Sequence, residues 1–406
     1  MSDVTPQFVM QYERRMKAIT EHSYTKRLSG ENMWVNRLMR LTPIEGKTER
    51  VTWFLDTATI EPIGPSGSGS MKFENMVTQS AEYPTFKHGK GIKVQVDQLE
   101  DLDGTGLNEL SKWSENIGSD IAYYPQRLAA QLVLNGANTD GSATAYDGLP
   151  FFMDTTVATG NPNPAGTYSM GHYYNPFRTT LGGYYNWLHG SAVTVSTPSG
   201  NQYYPGALPI DDSVTVDVAL TNLGKAIAYI ASWKMPNGID PRFLRPLYII
   251  IPPRMAPRLR QLLNAKTIAQ AASGGAGSGD VEKLITGWGL GTPIIAQEFG
   301  AAVTYNAQIP FVVASGTLQG QVNFKKETVT GSDTTYYIVC DSNEDTALGG
   351  LLNVQRKPFK IRYFGEGGVD GLNAVLSRAD ELEYQCKGRM SAQYGHPYAI
   401  IRIDNS

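Results

Sequence analysis

One stretch, residues 98–152, limits what this chain can become more than any other. Apolar side chains recur at Leu107, Leu110, Trp113, Ile117, Ile121, Tyr124, Leu128 and Leu132. Each step is three or four residues, so the whole set falls on one stripe of an α-helix. At 1.5 Å per residue that helix is roughly 40 Å long, more than twice the usual length. Pro125 lies inside it, lacks an N–H and crowds the carbonyl of Ile121, so a kink is expected there. An acidic turn (Glu100, Asp101, Asp103, Gly104) leads in, where negative charge meets the positive end of the helix dipole. Asp147-Gly148-Leu149-Pro150-Phe151-Phe152 leads out. A single long helix of this kind suits a protein whose work is mechanical.

The length, 406 residues, is enough for two or three domain-sized units. Only 18% of residues are charged, while glycine (42), proline (23) and tyrosine (22) are plentiful, a balance that favours strands, turns and long loops. The net charge of −3 supplies no global field to recruit nucleic acid or acidic membranes. Two cysteines, Cys340 and Cys386, are too few for a disulfide framework and are expected as free thiols in a reducing cytosol. Met1-Ser2-Asp3-Val4 is not a basic segment followed by an apolar run, so no signal peptide is expected. No run approaches 18 apolar residues, and no membrane partner is expected.

Residues 1–47 read as an arm. Thr5-Pro6 is a good helix start; Phe8, Tyr12, Met16 and Ile19 then line one face, and Arg14, Arg15 and Lys17 make the rest basic. A lone amphipathic helix needs a surface to cover, its own body's or a neighbour's. Residues 48–96 read as two extended runs, Val51 to Ile60 and Gly91 to Val96, around the glycine-serine centre Gly64 to Ser70. Together they predict a long two-stranded flap, and an isolated ribbon is only marginally stable in water. The flap therefore implies a partner surface.

The long helix belongs to a unit spanning 97–154. Residues 155–212 are polar, glycine-rich and crowded with Tyr168, Tyr173, Tyr174, Tyr184, Tyr185, Trp187, Tyr203 and Tyr204. Such clusters stack sugars or bases, or else form a small β-rich insertion packed on its host. Residues 213–235 carry a second helix, marked by Leu220, Leu223, Ile227 and Ile230. Residues 236–345 read as an α/β unit of mixed order. Leu247 to Ile251 is a strand buried on both faces, Met255 to Asn264 a helix, and Ser273 to Asp280 a mobile loop. Further strands are expected at Ile294-Ile295, Phe311 to Val313 and Tyr336 to Val339. Residues 346–406 are strand-rich again, and Tyr398 to Ile403 ties the C-terminal segment into a sheet.

Recognisable chemistry is scarce. None of the five histidines (His22, His88, His172, His189, His396) sits at a metal spacing or near a cysteine. There is no nucleophile elbow and no phosphate-binding loop, and the glycine-rich runs at 64–70 and 273–279 lack the required lysine. The acidic turn lacks the ligand ladder of a calcium loop. No catalytic residue, cofactor site or metal site is expected, and the chain reads as a non-enzyme.

The order of these parts resembles the major capsid proteins of tailed bacteriophages with the Hong Kong 97-type fold, and more narrowly the Mu-type major head proteins. The residues that carry the resemblance are Gly91-Ile92-Lys93-Val94 leading to Glu100-Asp101-Leu102-Asp103-Gly104, Ile117-Gly118 within the helix, Tyr146 to Phe152, and Leu247 to Pro253 before a helix. One departure is visible: a histidine is expected soon after Phe152, where Asp154-Thr155 stands.

The resemblance implies an α+β fold with an N-arm (1–47), an E-loop (48–96), and a peripheral domain with a spine helix (97–154, 213–235, 346–406). It also implies an axial domain (236–345), leaving 155–212 as an insertion. Within the E-loop, Pro62, Gly64, Pro65, Gly67, Gly69, Lys72 and Phe73 would touch neighbouring copies of the chain. Phe8, Tyr12, Arg14 and Arg15 would make N-arm contacts, and Leu110, Trp113, Ile117, Ile121, Leu128 and Leu132 would be the spine-helix core. The implied function is self-assembly into pentamers and hexamers of an icosahedral virion shell around double-stranded DNA bound without sequence preference. Portal, scaffold and decoration proteins are the further partners, and assembly takes place in the bacterial host cytoplasm. The competing expectations are an encapsulin-like nanocompartment shell and a glycan-binding β-rich protein.

Overall fold

The computed structural model describes residues 6–30, 33–46, 48–55, 77–95, 104–139, 142–145, 147–156, 171–174, 182–197, 200–264, 267–268, 279–280, 293–312, 322–341, 349–363 and 381–405. Five helices are labelled in chain order: α1 Pro6–Leu28, α2 Val35–Leu38, α3 Gly104–Asn135, α4 Val216–Ala231 and α5 Ala256–Asn264. At 32 residues α3 is about 48 Å long and holds Pro125 in its interior. Thr215 caps α4 by accepting a hydrogen bond from the Val218 amide, so this helix starts where a threonine can satisfy a free N–H.

The strands used below are β1 Met39–Pro43, β2 Thr48–Leu55, β3 Val77–Pro84, β4 Phe86–Gln95, β5 Trp187–Leu188, β6 Arg245–Ile251, β7 Ile294–Ile295, β8 Thr304–Val312, β9 Val322–Thr330, β10 Tyr336–Asp341, β11 Leu351–Tyr363, β12 Glu381–Tyr394 and β13 Ile400–Ile403. A four-stranded sheet has the order β1-β11-β12-β4. Its β1 and β11 run parallel, with Met39 opposite Leu351, and the other pairs are antiparallel, with Tyr384 opposite both Tyr363 and Ile92. A five-stranded mixed sheet has the order β7-β6-β10-β13-β5. β2 with β3, and β8 with β9, form separate two-stranded ribbons.

The five-stranded sheet separates two cores. Ile249, Ile251, Tyr336, Ile338, Ile401 and Ile403 point into one, with α4, α5 and the tyrosine-rich segment. Ile250, Tyr337, Val339 and Ile400 point into the other, with Trp34, the end of α3, Phe151 and Phe152. Apolar side chains on both faces are why residues 247–251 read as an unbroken apolar run rather than an alternating one. Each such fully buried isoleucine contributes about 1.5–3 kcal/mol relative to exposure.

Three expectations change on inspection of the structure. The flap pairs β2 with residues 77–84, not with 91–96. Gly91 to Gln95 instead lies in β4, at the edge of the four-stranded sheet. Its period-2 pattern is that of a sheet strand with Ile92 half-buried, and the mostly polar run Val77-Thr-Gln-Ser-Ala-Glu-Tyr-Pro84 hid the true partner. Residues 155–212 are not an appendage, because β5 completes the five-stranded sheet and Tyr174, Tyr184, Tyr185 and Tyr204 are buried in its core. The tail divides: β11 and β12 lie in the four-stranded sheet, while β13 returns to the middle of the other.

Candidate functional site

The candidate region consists of the ribbon, the long helix and the buried polar joints beside them. The ribbon β2–β3 is eight residues long on each side and registers Thr48 opposite Pro84 and Leu55 opposite Val77. It springs from β1 and β4, the two edge strands of the four-stranded sheet. Its root is fastened: Tyr83 donates to the Tyr394 carbonyl at 2.8 Å, and Ser391 donates to the Pro84 carbonyl at 2.5 Å. Burial pushes the Tyr83 phenol well above its ordinary range, so it stays a donor. Pro62, Gly64, Pro65, Gly67, Gly69, Lys72 and Phe73 lie outside the described residues, as do the acidic turn at 100–103 and the loop Ser273 to Ser278.

Helix α1 packs along α3. Of the arm residues, Arg14 and Arg15 are exposed, and Phe8 and Tyr12 belong to α1 but their side chains are outside the described set. The predicted stripe on α3 is only partly interior. Ile117 and Leu132 are buried, while Trp113, Ile121 and Leu128 are half-buried, and the side chain of Leu110 is not described. The tightly packed face is displaced by one residue and carries Ser114, Gly118, Ala122, Gln126 and Ala130, all buried. A β-carbon on Gly118 would sit 2.4 Å from the Thr20 carbonyl oxygen and 2.9 Å from Ser23 Cβ. Small side chains let α1 approach this closely, and Ser23 then donates to the Glu115 carbonyl at 2.7 Å.

Two polar joints hold the cores together. Glu298, buried, accepts from Trp34 Nε1 at 3.1 Å and from Gln126 Nε2 at 2.6 Å, tying the segment after α1 and the long helix to the β7–β8 connection. Tyr123 adds to this group; burial first, then the Glu298 carboxylate, raises its phenol well above the ordinary range. At the exit of α3, Asp147 accepts from the Leu149 amide at 3.2 Å, and Gly148 takes the left-handed conformation (φ 81°) that the turn requires. His172 Nδ1 lies 2.6 Å from Asp147 Oδ2, and its Nε2–H donates to the Phe151 carbonyl at 3.0 Å.

Asn186 completes this joint. Its amide donates to the carbonyls of Phe151 and Pro397 at 2.7 and 2.8 Å, and its oxygen accepts from the Met153 amide at 2.9 Å. Trp34, Glu298, Gln126, His172 and Asn186 carry the joints, yet no periodicity or motif marks them. The small-residue line at four-residue spacing from Ser114 to Ala130 is the one signal that was open to reading.

Among the described residues no three His, Cys, Asp or Glu side chains are grouped to hold a metal ion. Both cysteines are buried free thiols. No described helix is long and apolar enough to cross a membrane. Of the tyrosines proposed to stack sugars, Tyr184, Tyr185 and Tyr204 are at most 1% exposed, and among the described residues only Tyr203, at 54%, is a large open ring.

No family model matches the chain, and no curated protein matches it. Solved structures similar to it include a virus-like particle from Pyrococcus furiosus, at 12% identity and TM-score 0.41, covering 97% of this chain and 99% of that one. The capsid of Cyanophage P-SCSP1u is similar at 12% identity and TM-score 0.45, covering 90% and 86%. The holo-SrpI encapsulin complex from Synechococcus elongatus is similar at 10% identity and TM-score 0.39, covering 92% and 86%. At these scores the likeness decides nothing by itself.

Proposed function

We propose that this chain is a major capsid protein that assembles with copies of itself into a closed shell around double-stranded DNA. The observation that carries the reading is the ribbon. It is an eight-residue-per-side β-hairpin rooted firmly in the four-stranded sheet, yet it has no third strand among the described residues. A two-stranded ribbon is marginal by itself and gains stability when laid on another surface, and in a homo-oligomer every copy offers the same one. Repeated around a ring, such head-to-tail contacts close, and many modest contacts act together through avidity.

In this reading residues 62–73 at the ribbon's far end make the contact with a neighbouring copy. Phe8, Tyr12, Arg14 and Arg15 extend it from the arm, and the long helix carries load between the two cores. The shell is made of pentamers and hexamers of a virion, assembled in the host cytoplasm with portal, scaffold and decoration proteins as further partners. Negative-stain microscopy with sedimentation velocity on the same purified sample tests this. Hollow shells, capsomer rings or tubes are the expected result, and a 44.4 kDa monomer at every concentration overturns it.

A further inference from the structure

Six large apolar side chains stand exposed among the described residues: Tyr24, Leu41, Tyr203, Val218, Ile239 and Phe243. Four of them fall on two features. Ile239 and Phe243, 67% and 64% exposed, lie on the hairpin 233–244 that joins α4 to β6. Tyr24 and Leu41 line a groove of about 780 Å³ between α1, α3 and the four-stranded sheet. Scattered single residues of this kind are ordinary, whereas apolar side chains gathered on one feature mark a contact surface.

The hairpin is held in one shape. Lys234 and Pro241 form an antiparallel bridge, and the Met235 amide donates to the Asp240 carbonyl at 2.8 Å. Asn237 Oδ1 accepts from the Ile239 and Asp240 amides, both at 3.0 Å. Arg242 is buried, its guanidinium 3.9 Å from the centre of the Tyr398 ring. Phe243 takes φ 53°, the one positive φ outside glycine among the described residues. That conformation is strained for a bulky side chain and persists only where the surroundings fix it. Here the buried Arg242 and Leu244 on either side fix a ring that stays in solvent. An aromatic ring preorganised in the open loses little freedom when a partner covers it.

The groove supplies the complement. Thr20, Tyr24 and Leu28 from one face of α1, Ile121 from α3 and Leu41 from β1 help make its walls. Lys17 stands on the same face of α1, and its pairing with Glu21, at 3.9 Å between two exposed side chains, is weak. On the hairpin, Asp240 follows Ile239, and among the described residues it has no cation within ion-pair distance. No described residue of the hairpin lines the groove, so within one chain the two features leave each other unfilled. We propose that the hairpin of one copy seats Ile239 and Phe243 in this groove of a second copy, with Asp240 facing Lys17. Such a contact is head-to-tail, the kind that closes into rings. It rests on the shell reading, and it adds a second contact to the one assigned to the ribbon.

The test is the concentration at which half of the full-length chain has assembled, read by sedimentation velocity. I239S/F243N is expected to raise it about thirtyfold or more. Its melting temperature is expected to hold, because asparagine accepts a positive φ that phenylalanine resists. L41D, on the groove side, is expected to raise it as much. Mixed together, those two variants still hold one intact hairpin and one intact groove, so they are expected to stop at a one-to-one dimer. D240K and K17E, on exposed residues, are each expected to raise the concentration about two- to fivefold, and D240K/K17E to restore it. That pair carries the test if I239S/F243N does not fold. Parent-like assembly by I239S/F243N overturns the contact, as does a mixture that forms no dimer or a D240K/K17E variant that assembles no better than either single change. A parent and an I239S/F243N variant that both form shells refute this inference alone. A parent that forms only small rings or open filaments, lost in I239S/F243N, refutes the closed shell and leaves the contact standing. A parent that is monomeric at every concentration overturns both.

Discussion

The ribbon at 48–84 and the segment at 171–204 are both short-stranded and both carry aromatic side chains, yet the molecule treats them in opposite ways. The second is drawn inside. Tyr184 packs on Trp233 with ring centroids 4.6 Å apart, Tyr204 donates to the Trp187 carbonyl at 3.0 Å, and β5 adds a strand to a buried sheet. The first is fastened at its root by Tyr83 and Ser391 and, among the described residues, pairs as two strands. Aromatic content therefore says little about which segment is interior. Among the described residues, what separates the two is a third strand: the second segment has one to join and the ribbon does not.

The strongest way to break this contrast is to remove the outer part of the ribbon. Deleting Pro62 to Thr78 is expected to leave a folded chain with an unchanged melting temperature that forms no stable shells. Intact shells from that variant in the microscope would show that the ribbon is not the contact. Asn186→Ala attacks the opposite side of the contrast. It leaves the Pro397 carbonyl and the Met153 amide without their partner, while the Phe151 carbonyl keeps His172, so it is expected to cost about 2–5 kcal/mol in urea unfolding, since each unsatisfied buried group costs roughly 1–3. A loss under about 1 kcal/mol, typical of surface positions, would mean that the joint is not what holds the segment inside.

Much of the element order was readable from residues alone, because strong periodicity survives any context. The long helix, the strand at 247–251 and the buried final strand follow from apolar spacing. The ribbon's second strand did not, because Gln79 interrupts the apolar alternation of Val77, Ala81 and Tyr83 and a long stretch of sequence separates it from its partner. The predicted stripe on α3 is only partly interior, with Ile117 and Leu132 buried, for a physical reason: large apolar side chains mark a face that can be buried, while the closest approach of two helices needs small ones.

Gly118 and Trp113 test that distinction directly. Gly118→Ala places a methyl 2.4 Å from the Thr20 carbonyl and is expected to cost about 1–3 kcal/mol through overpacking. Trp113→Ala, on a half-buried residue, is expected to fall below the roughly 3–5 kcal/mol of a fully buried aromatic. The reverse order in denaturant titrations would return the interior face to the large-residue stripe.

The smallest expected effect concerns acid sensitivity at the ribbon's base. His88 on β4 faces the Met390 carbonyl through Nε2 at 3.0 Å and the Tyr124 hydroxyl through Nδ1 at 2.7 Å. A carbonyl can only accept, so Nε2 carries the proton and Nδ1 accepts from Tyr124, which is the neutral imidazole. Burial lowers the His88 pKa below its ordinary 6.5, and Arg127 pushes the same way against the Met390 bond. A histidine held neutral in the folded state binds fewer protons there than in the unfolded chain. Its contribution is therefore fully present above about 6.5 and is lost as pH falls below that value, until the folded-state pKa is also passed. Melting temperature should drop between pH 7.5 and pH 5, and His88→Gln should remove part of that drop while costing little at pH 7.5. Identical pH profiles for the two proteins would place the acid sensitivity in other groups, and a large loss at pH 7.5 would show that the imidazole itself, rather than its charge state, fastens the ribbon's sheet to the long helix.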